Sequence, residues 1–194
     1  VAVLPTVPRD AAVLSALEDF VAKGGRVVAE CTRPLDARPA ELLGLAPGGQ
    51  VSEYLQASYL RFAPGAEDLR RDLGPTPLLP HRGRTLYAQP RDARTLCTLV
   101  PPCAPMEAVG APPERASLPV PETDLPLLTL RQAGEGCAAA VLFPLSAMLS
   151  ELKLHDHELL VRNLLTALLG DALDIRLAQP LRGIQLMDYQ GPGG

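Results

Sequence analysis

The chain opens on a continuous apolar run, Val1 to Leu4, closed by Pro5. Such a run, with no polar alternation, predicts a strand covered on both faces, as in a parallel sheet. Asp10 then stands where a helix cap belongs. Val13, Ala16, Leu17, Phe20 and Val21 recur behind it at helical spacing. Lys23-Gly24-Gly25 supplies the stop, with a glycine free to take the left-handed cap conformation. Arg26–Glu30 reads as a second buried strand. Strand, helix and strand within about 30 residues predict a right-handed βαβ unit.

Beyond Glu30 the pattern weakens. Pro34 and Pro39 break any long helix, and residues 39–45 have room for a short one only. Strand-like runs cover 51–62, 84–89 and 95–100, separated by proline-rich loops. Two apolar runs between Leu125 and Pro144 flank Ala133-Gly134-Glu135-Gly136, the signature of a hairpin. Residues 156–170 form the second clear helical pattern, with Val161, Leu164, Leu165 and Leu168 as its apolar stripe and Gly170 as its stop. Residues 182–190 alternate as a strand does, and the chain closes on Gly191-Pro192-Gly193-Gly194. We expect one α/β domain over residues 1–180, with 181–194 beginning a following β segment or a linker.

Composition narrows the function classes. In 194 residues, 47% are hydrophobic and 21% charged, which suits one domain with a substantial core. The formal charge of −4 carries no block of like charges, so neither a nucleic-acid nor a polybasic membrane surface is expected. The most apolar stretch, 137–149, contains Pro144 and is shorter than the roughly 20 residues of a membrane helix. Cys31, Cys97, Cys103 and Cys137 form no C-x-x-C pair, so they read as buried free thiols in a reducing, cytoplasmic setting. A Cys97–Cys103 bridge is the open alternative.

The order of these motifs is similar to that of a known family. The "VAVLPTVP" strand leads into a helix ending "FVAKGG", followed by "RVVAE", a short "LLGL" turn, the "GEGCAAAVLFP" hairpin and a helix opening "HDHELL". This series resembles the glutamine-amidotransferase-like domain attached to bacterial glycoside hydrolases, the group that includes the β-galactosidase trimerisation domain. The likeness is firm over 1–45 and 127–188. It implies a flavodoxin-like three-layer α/β/α sandwich with a mostly parallel sheet and a late β-hairpin. It also implies a first strand and helix upstream of Val1, an accessory place beside a catalytic barrel of the same parent chain, and homo-oligomers formed through that parent. Neither cofactor nor metal is expected.

In true class I amidotransferases a nucleophilic cysteine stands where Cys31 stands here. It needs a sharp turn into a helix, commonly written G-x-C-x-G, so that the sulfur is exposed near helix amides. Here the residues are Ala29, Glu30, Cys31, Thr32 and Arg33, with both glycines missing. No histidine follows the late strand directly: Pro144, Leu145 and Ser146 do. We therefore expect no catalytic residues. The runner-up is a displaced set of Cys31, His157 and Glu158, which would make the chain a degenerate cysteine hydrolase or amidotransferase. A small-sugar-binding module is the other rival. His155 and His157, two apart, do not form an i, i+4 metal pair, and His81 reads as a solvated loop residue. Glu30, an acid ending a buried strand, reads as a carboxylate held by Arg33 or by a loop amide, ahead of a catalytic acid. The Gly-Glu-Gly turn at 134–136 lacks the helix and the Lys–Ser/Thr pair of a phosphate loop.

Overall fold

The structure is a computed structural model that describes residues 1–74, 78–101 and 123–169. Its βαβ start follows the sequence pattern closely. β1 (Ala2–Leu4) pairs in parallel with β2 (Arg26–Glu30), and α1 (Ala11–Ala22) joins them. The Asp10 carboxylate accepts from the backbone N–H of Ala12 at 2.9 Å and of Val13 at 3.0 Å, satisfying two amides that the first helical turn leaves unpaired. Gly24, at φ +87°, ends the helix in the conformation that only glycine adopts freely. Leu14 and Val21 turn inward from α1, each burial contributing about 1.5–3 kcal/mol.

α2 (Ala37–Leu42) is short, as the prolines demand. Pro39 lies inside its first turn, where a missing N–H costs nothing. Arg38 docks α2 on α1, its guanidinium donating to Glu18 and Ser15, each at 2.7 Å. β3 (Gln50–Val51) and β4 (Leu55–Phe62) follow, then a 3-10 turn at Glu67–Arg70. β5 (Leu78–Gly83), β6 (Leu86–Tyr87) and β7 (Ala93–Val100) come next. The later chain contributes β8 (Pro126–Ala133), β9 (Gly136–Val141), α3 (Leu145–Leu152) and α4 (His155–Leu169). Residues 181–194, and with them the strand expected at 182–190, lie outside the described residues, as does Cys103.

Among the described residues the main sheet has seven strands in the order β1-β2-β9-β8-β7-β4-β5, and β3 pairs separately with β6. It is mixed. β1, β2 and β9 run parallel, while every pairing from β9 across to β5 is antiparallel. The parallel character expected of the sheet thus holds on its N-terminal side only. The cause lies in the connections: β8 and β9 are joined by the two residues Gly134 and Glu135, too few for a parallel crossover.

Alternation along β2 and β9 divides the core. Val27, Ala29, Ala138 and Ala140 face α1 and α2, in a cluster with Leu14, Ala40 and Leu43. Val28, Ala139 and Val141 face the other way, with Met148 of α3 and Leu160 and Leu164 of α4. The period of two along a strand demands this split. On α4 the buried stripe is Leu160, Leu164 and Leu168, with Val161 and Leu165 only partly buried. The helix is therefore rotated from the expected Val161–Leu164–Leu165–Leu168 facing. Asn163 fixes that rotation by donating to the carbonyls of Leu69 at 3.1 Å and Arg71 at 2.6 Å.

Candidate functional site at the carboxyl ends of the parallel strands

β2 exits toward α2, on the α1 face, whereas its parallel neighbour β9 exits toward α3 on the opposite face. Neighbouring parallel strands whose connections part to opposite faces leave a crevice at their carboxyl ends, the usual ligand position in open α/β sheets. Glu30 sits at that divide. Its Oε2 accepts from the backbone N–H of Ser146, at the start of α3, at 2.9 Å. The partner is thus neither Arg33 nor a loop amide, as the sequence led us to expect, but an amide in the first turn of α3, where the negative charge complements the positive end of the helix dipole.

Cys31 follows directly. Its backbone N–H donates to the carbonyl of Val141 at 2.7 Å, so the strand ladder runs on through the cysteine and does not turn sharply there. The next helix starts only at Ala37. The thiol is 2% exposed and its Sγ lies 3.5 Å from the carbonyl of Ala29, two residues back. Burial first, and the charge of Glu30 second, push its pKa up to about 12. A thiol so placed is protonated at neutral pH and has no helix amides to stabilise a thiolate.

The other members of the runner-up set lie elsewhere. His157 is fully buried on α4, and its Nε2 donates to the Pro80 carbonyl of β5 at 2.8 Å. Its Nδ1 has no hydrogen-bond partner among the described residues. Glu158 is exposed and pairs loosely with His155, Oε2 to Nδ1 at 3.4 Å, one helical turn apart. Cys31 packs in the cluster on the α1 face, whereas α4 packs in the cluster on the other. No hydrogen bond joins Cys31, His157 and Glu158 among the described residues.

His81 is the clearest correction to the sequence reading. It is 1% exposed on β5, not solvated. Its Nδ1 lies 2.6 Å from Ser58 Oγ and its Nε2 3.0 Å from Thr85 Oγ1. Ser58 also donates to the His81 carbonyl at 3.1 Å. One proton arrangement satisfies all three contacts: the Nδ1–H of a neutral ring donates to Ser58, and Nε2 accepts from Thr85. The ring meets Phe143 edge-on, centroids 5.5 Å apart. Burial, with a smaller contribution from His157, lowers its pKa to about 4. A serine and a histidine this close invite reading as nucleophile and base. The serine, however, spends its proton on a carbonyl, and both side chains are sealed from solvent.

Two clefts meet at the crevice, sharing Glu30 and Thr32 as their common wall. The smaller, of about 190 Å³, reaches from Cys31 past Arg33 to Arg9 and Asp36. The larger, of about 360 Å³, lies between Glu30, Tyr54, Arg82, Arg84, Met148 and Glu151. Its far wall is brought in by the end of β5. There Leu86 N–H donates to the Leu142 carbonyl at 2.8 Å, folding the β5–β6 segment over the end of β9. Gly83, at φ +117°, makes the approach possible: a Cβ there would sit 2.5 Å from Pro144 Cγ. Sequence reasoning missed this wall, although the alternation in "LPHRGR" carries the signal. It turns His81 and Gly83 inward and Arg82 and Arg84 outward.

No protein family's model matches the chain, and a comparison with curated proteins finds no match. Solved structures do share the fold. An α-L-fucosidase, isoenzyme 2 from Paenibacillus thiaminolyticus, is similar over 88% of this chain and 25% of its own, at 18% identity and a TM-score of 0.59. A β-galactosidase from Bacillus circulans sp. alkalophilus is similar over 82% of this chain and 20% of its own, at 14% identity and a TM-score of 0.50. A cytoplasmic protein of Salmonella typhimurium LT2 covers 80% of this chain and 60% of its own, at 14% identity and a TM-score of 0.55. At these identities the likeness is one of fold. The chain spans a quarter or less of each of these two glycoside hydrolases.

Proposed function

We propose that this chain is a non-catalytic, amidotransferase-like accessory domain of a glycoside hydrolase, built on a flavodoxin-like three-layer plan. Its work is architectural: it packs beside a catalytic barrel of the same parent chain and joins parent subunits into a homo-oligomer. The carrying observation is the state of Cys31, a buried, protonated thiol directly after β2, whose N–H still bonds Val141 and whose next helix starts only at Ala37, where a nucleophile would need a sharp turn into a helix. The occurrence of the fold within a fucosidase and a β-galactosidase supports the association with glycoside hydrolases.

Reading the gene on both sides of the codons for Val1 and Gly194 tests the association. A coding sequence continuous with a barrel-type hydrolase is the expected result, and stop codons closely bracketing the 194 residues contradict it. Sedimentation of that parent protein, with and without this segment, tests the architectural role. Loss of the oligomer on deletion is expected, and an unchanged oligomer speaks against it.

A further inference from the structure

The larger of the two clefts has a chemistry that the architectural role does not use. Tyr54, Arg82 and Glu151 come from the loop before β4, from β5 and from α3. They hold one another in place: Arg82 Nε donates to the Tyr54 hydroxyl at 2.7 Å, and an Arg82 terminal nitrogen lies 3.2 Å from Glu151 Oε2. The Tyr54 ring is thereby oriented at the cleft wall while it remains 49% exposed. Glu30 lines the same cleft, and one of its oxygens is engaged by Ser146. Arg84 is exposed and makes no ion pair among the described residues, so its donors are unspent. Met148, with Pro144 and Ala147, gives an apolar floor.

We propose that this cleft binds a neutral, polyhydroxylated ligand of monosaccharide size. The volume of about 360 Å³ falls in the range of small-ligand sites. Two arginines and two glutamates line it, so donors and acceptors are both present. A sugar hydroxyl donates and accepts at once, and vicinal pairs of hydroxyls need both kinds of partner within reach. An ion of either sign finds no net charge complement there, since two arginines and two glutamates cancel. A fully apolar ligand would strip water from four charges without replacing their hydrogen bonds. A pyranose ring also has a C–H face, which the Tyr54 ring and the Met148 floor can cover. The inference is independent of the architectural proposal, since it rests on the cleft alone.

Saturation-transfer NMR on the 194-residue chain, with D-galactose, L-fucose and D-mannose as probes and inorganic phosphate as competitor, tests it. At least one sugar should receive saturation, with a Kd on the order of 1 mM. Tyr54→Ala and Arg84→Ala should each weaken binding about tenfold or more. Both side chains are exposed, so thermal unfolding of the variants should match that of the parent chain. Arg33→Ala, beyond the Glu30–Thr32 wall, should leave binding unchanged. Absence of transfer to all three sugars overturns the proposal, as does binding that survives both variants or yields to phosphate.

Discussion

The Glu30 carboxylate accepts from the Ser146 backbone N–H at 2.9 Å, joining the end of the second strand to the start of a helix 116 residues later. This contact occupies the amide end of α3 with the protein's own anion and sets a negative charge beside Cys31. The same carboxylate gives the α3 terminus an anionic partner and, after burial, is the second cause that raises the Cys31 pKa.

Glu30→Gln should therefore have two effects of different kinds. Removing charge at the α3 terminus should cost about 0.3–1 kcal/mol in a urea titration. The Cys31 pKa should move down, because Glu30 is the second contributor to its rise, yet stay high because burial remains. A variant as stable as the parent, with unchanged thiol titration, would show that the contact has no energetic role.

His81 predicts a pH dependence with a definite sign. Its folded pKa of about 4 lies below the ordinary value of 6.5, so between those limits the unfolded chain binds the extra proton. The stability that the neutral ring brings is fully present above pH 6.5 and is lost as pH falls toward 4, up to about 3 kcal/mol in total. Urea midpoints measured from pH 7.5 to 4 should fall through this window. In His81→Gln the fall should be shallower, although the variant starts less stable at pH 7.5. A parent curve flat from 6.5 to 4 contradicts the assignment.

How legible was this in the sequence? The βαβ start was written plainly, since Asp10, Gly24 and the apolar spacing of α1 act locally and need no tertiary context. The β5 strand was not. Pro80 interrupts it, and a proline argues against a strand unless that strand lies at a sheet edge, as β5 does. His81 was misread for the same reason, because once the strand is missed its alternation loses meaning. α3 was hidden behind Pro144, which reads as a breaker in an apolar run but here stands at the helix's N-terminal boundary. The candidate site was half visible. Cys31 and Glu30 stand out locally, whereas Tyr54, Arg82 and Glu151 meet only through the fold.

The rotation of α4 separates two neighbouring leucines. Leu164→Ala should cost about 2–5 kcal/mol, the usual loss at a packed leucine site, whereas the partly buried Leu165→Ala should cost clearly less. Equal losses in parallel denaturant titrations would contradict the observed facing.

The two histidines at the start of α4 should also part company. His155→Gln, at an exposed position, should leave stability within about 0.5 kcal/mol. His157→Ala removes the donor to the Pro80 carbonyl and should cost about 1–3 kcal/mol. Calorimetric melting of both variants decides the matter, and a silent His157→Ala would mean that its buried hydrogen bond contributes nothing.

The most direct test of the account is the reactivity of Cys31 in the folded chain. Iodoacetamide labelling from pH 6 to 9, with the modified cysteine located by mass spectrometry, reads the thiol's accessibility and its protonation together. A thiol 2% exposed with its pKa pushed up to about 12 should label slowly throughout that range, gaining speed only in denaturant. Rapid, selective modification of Cys31 at pH 6 in the folded protein would mean an accessible thiolate, and would contradict the non-catalytic reading outright.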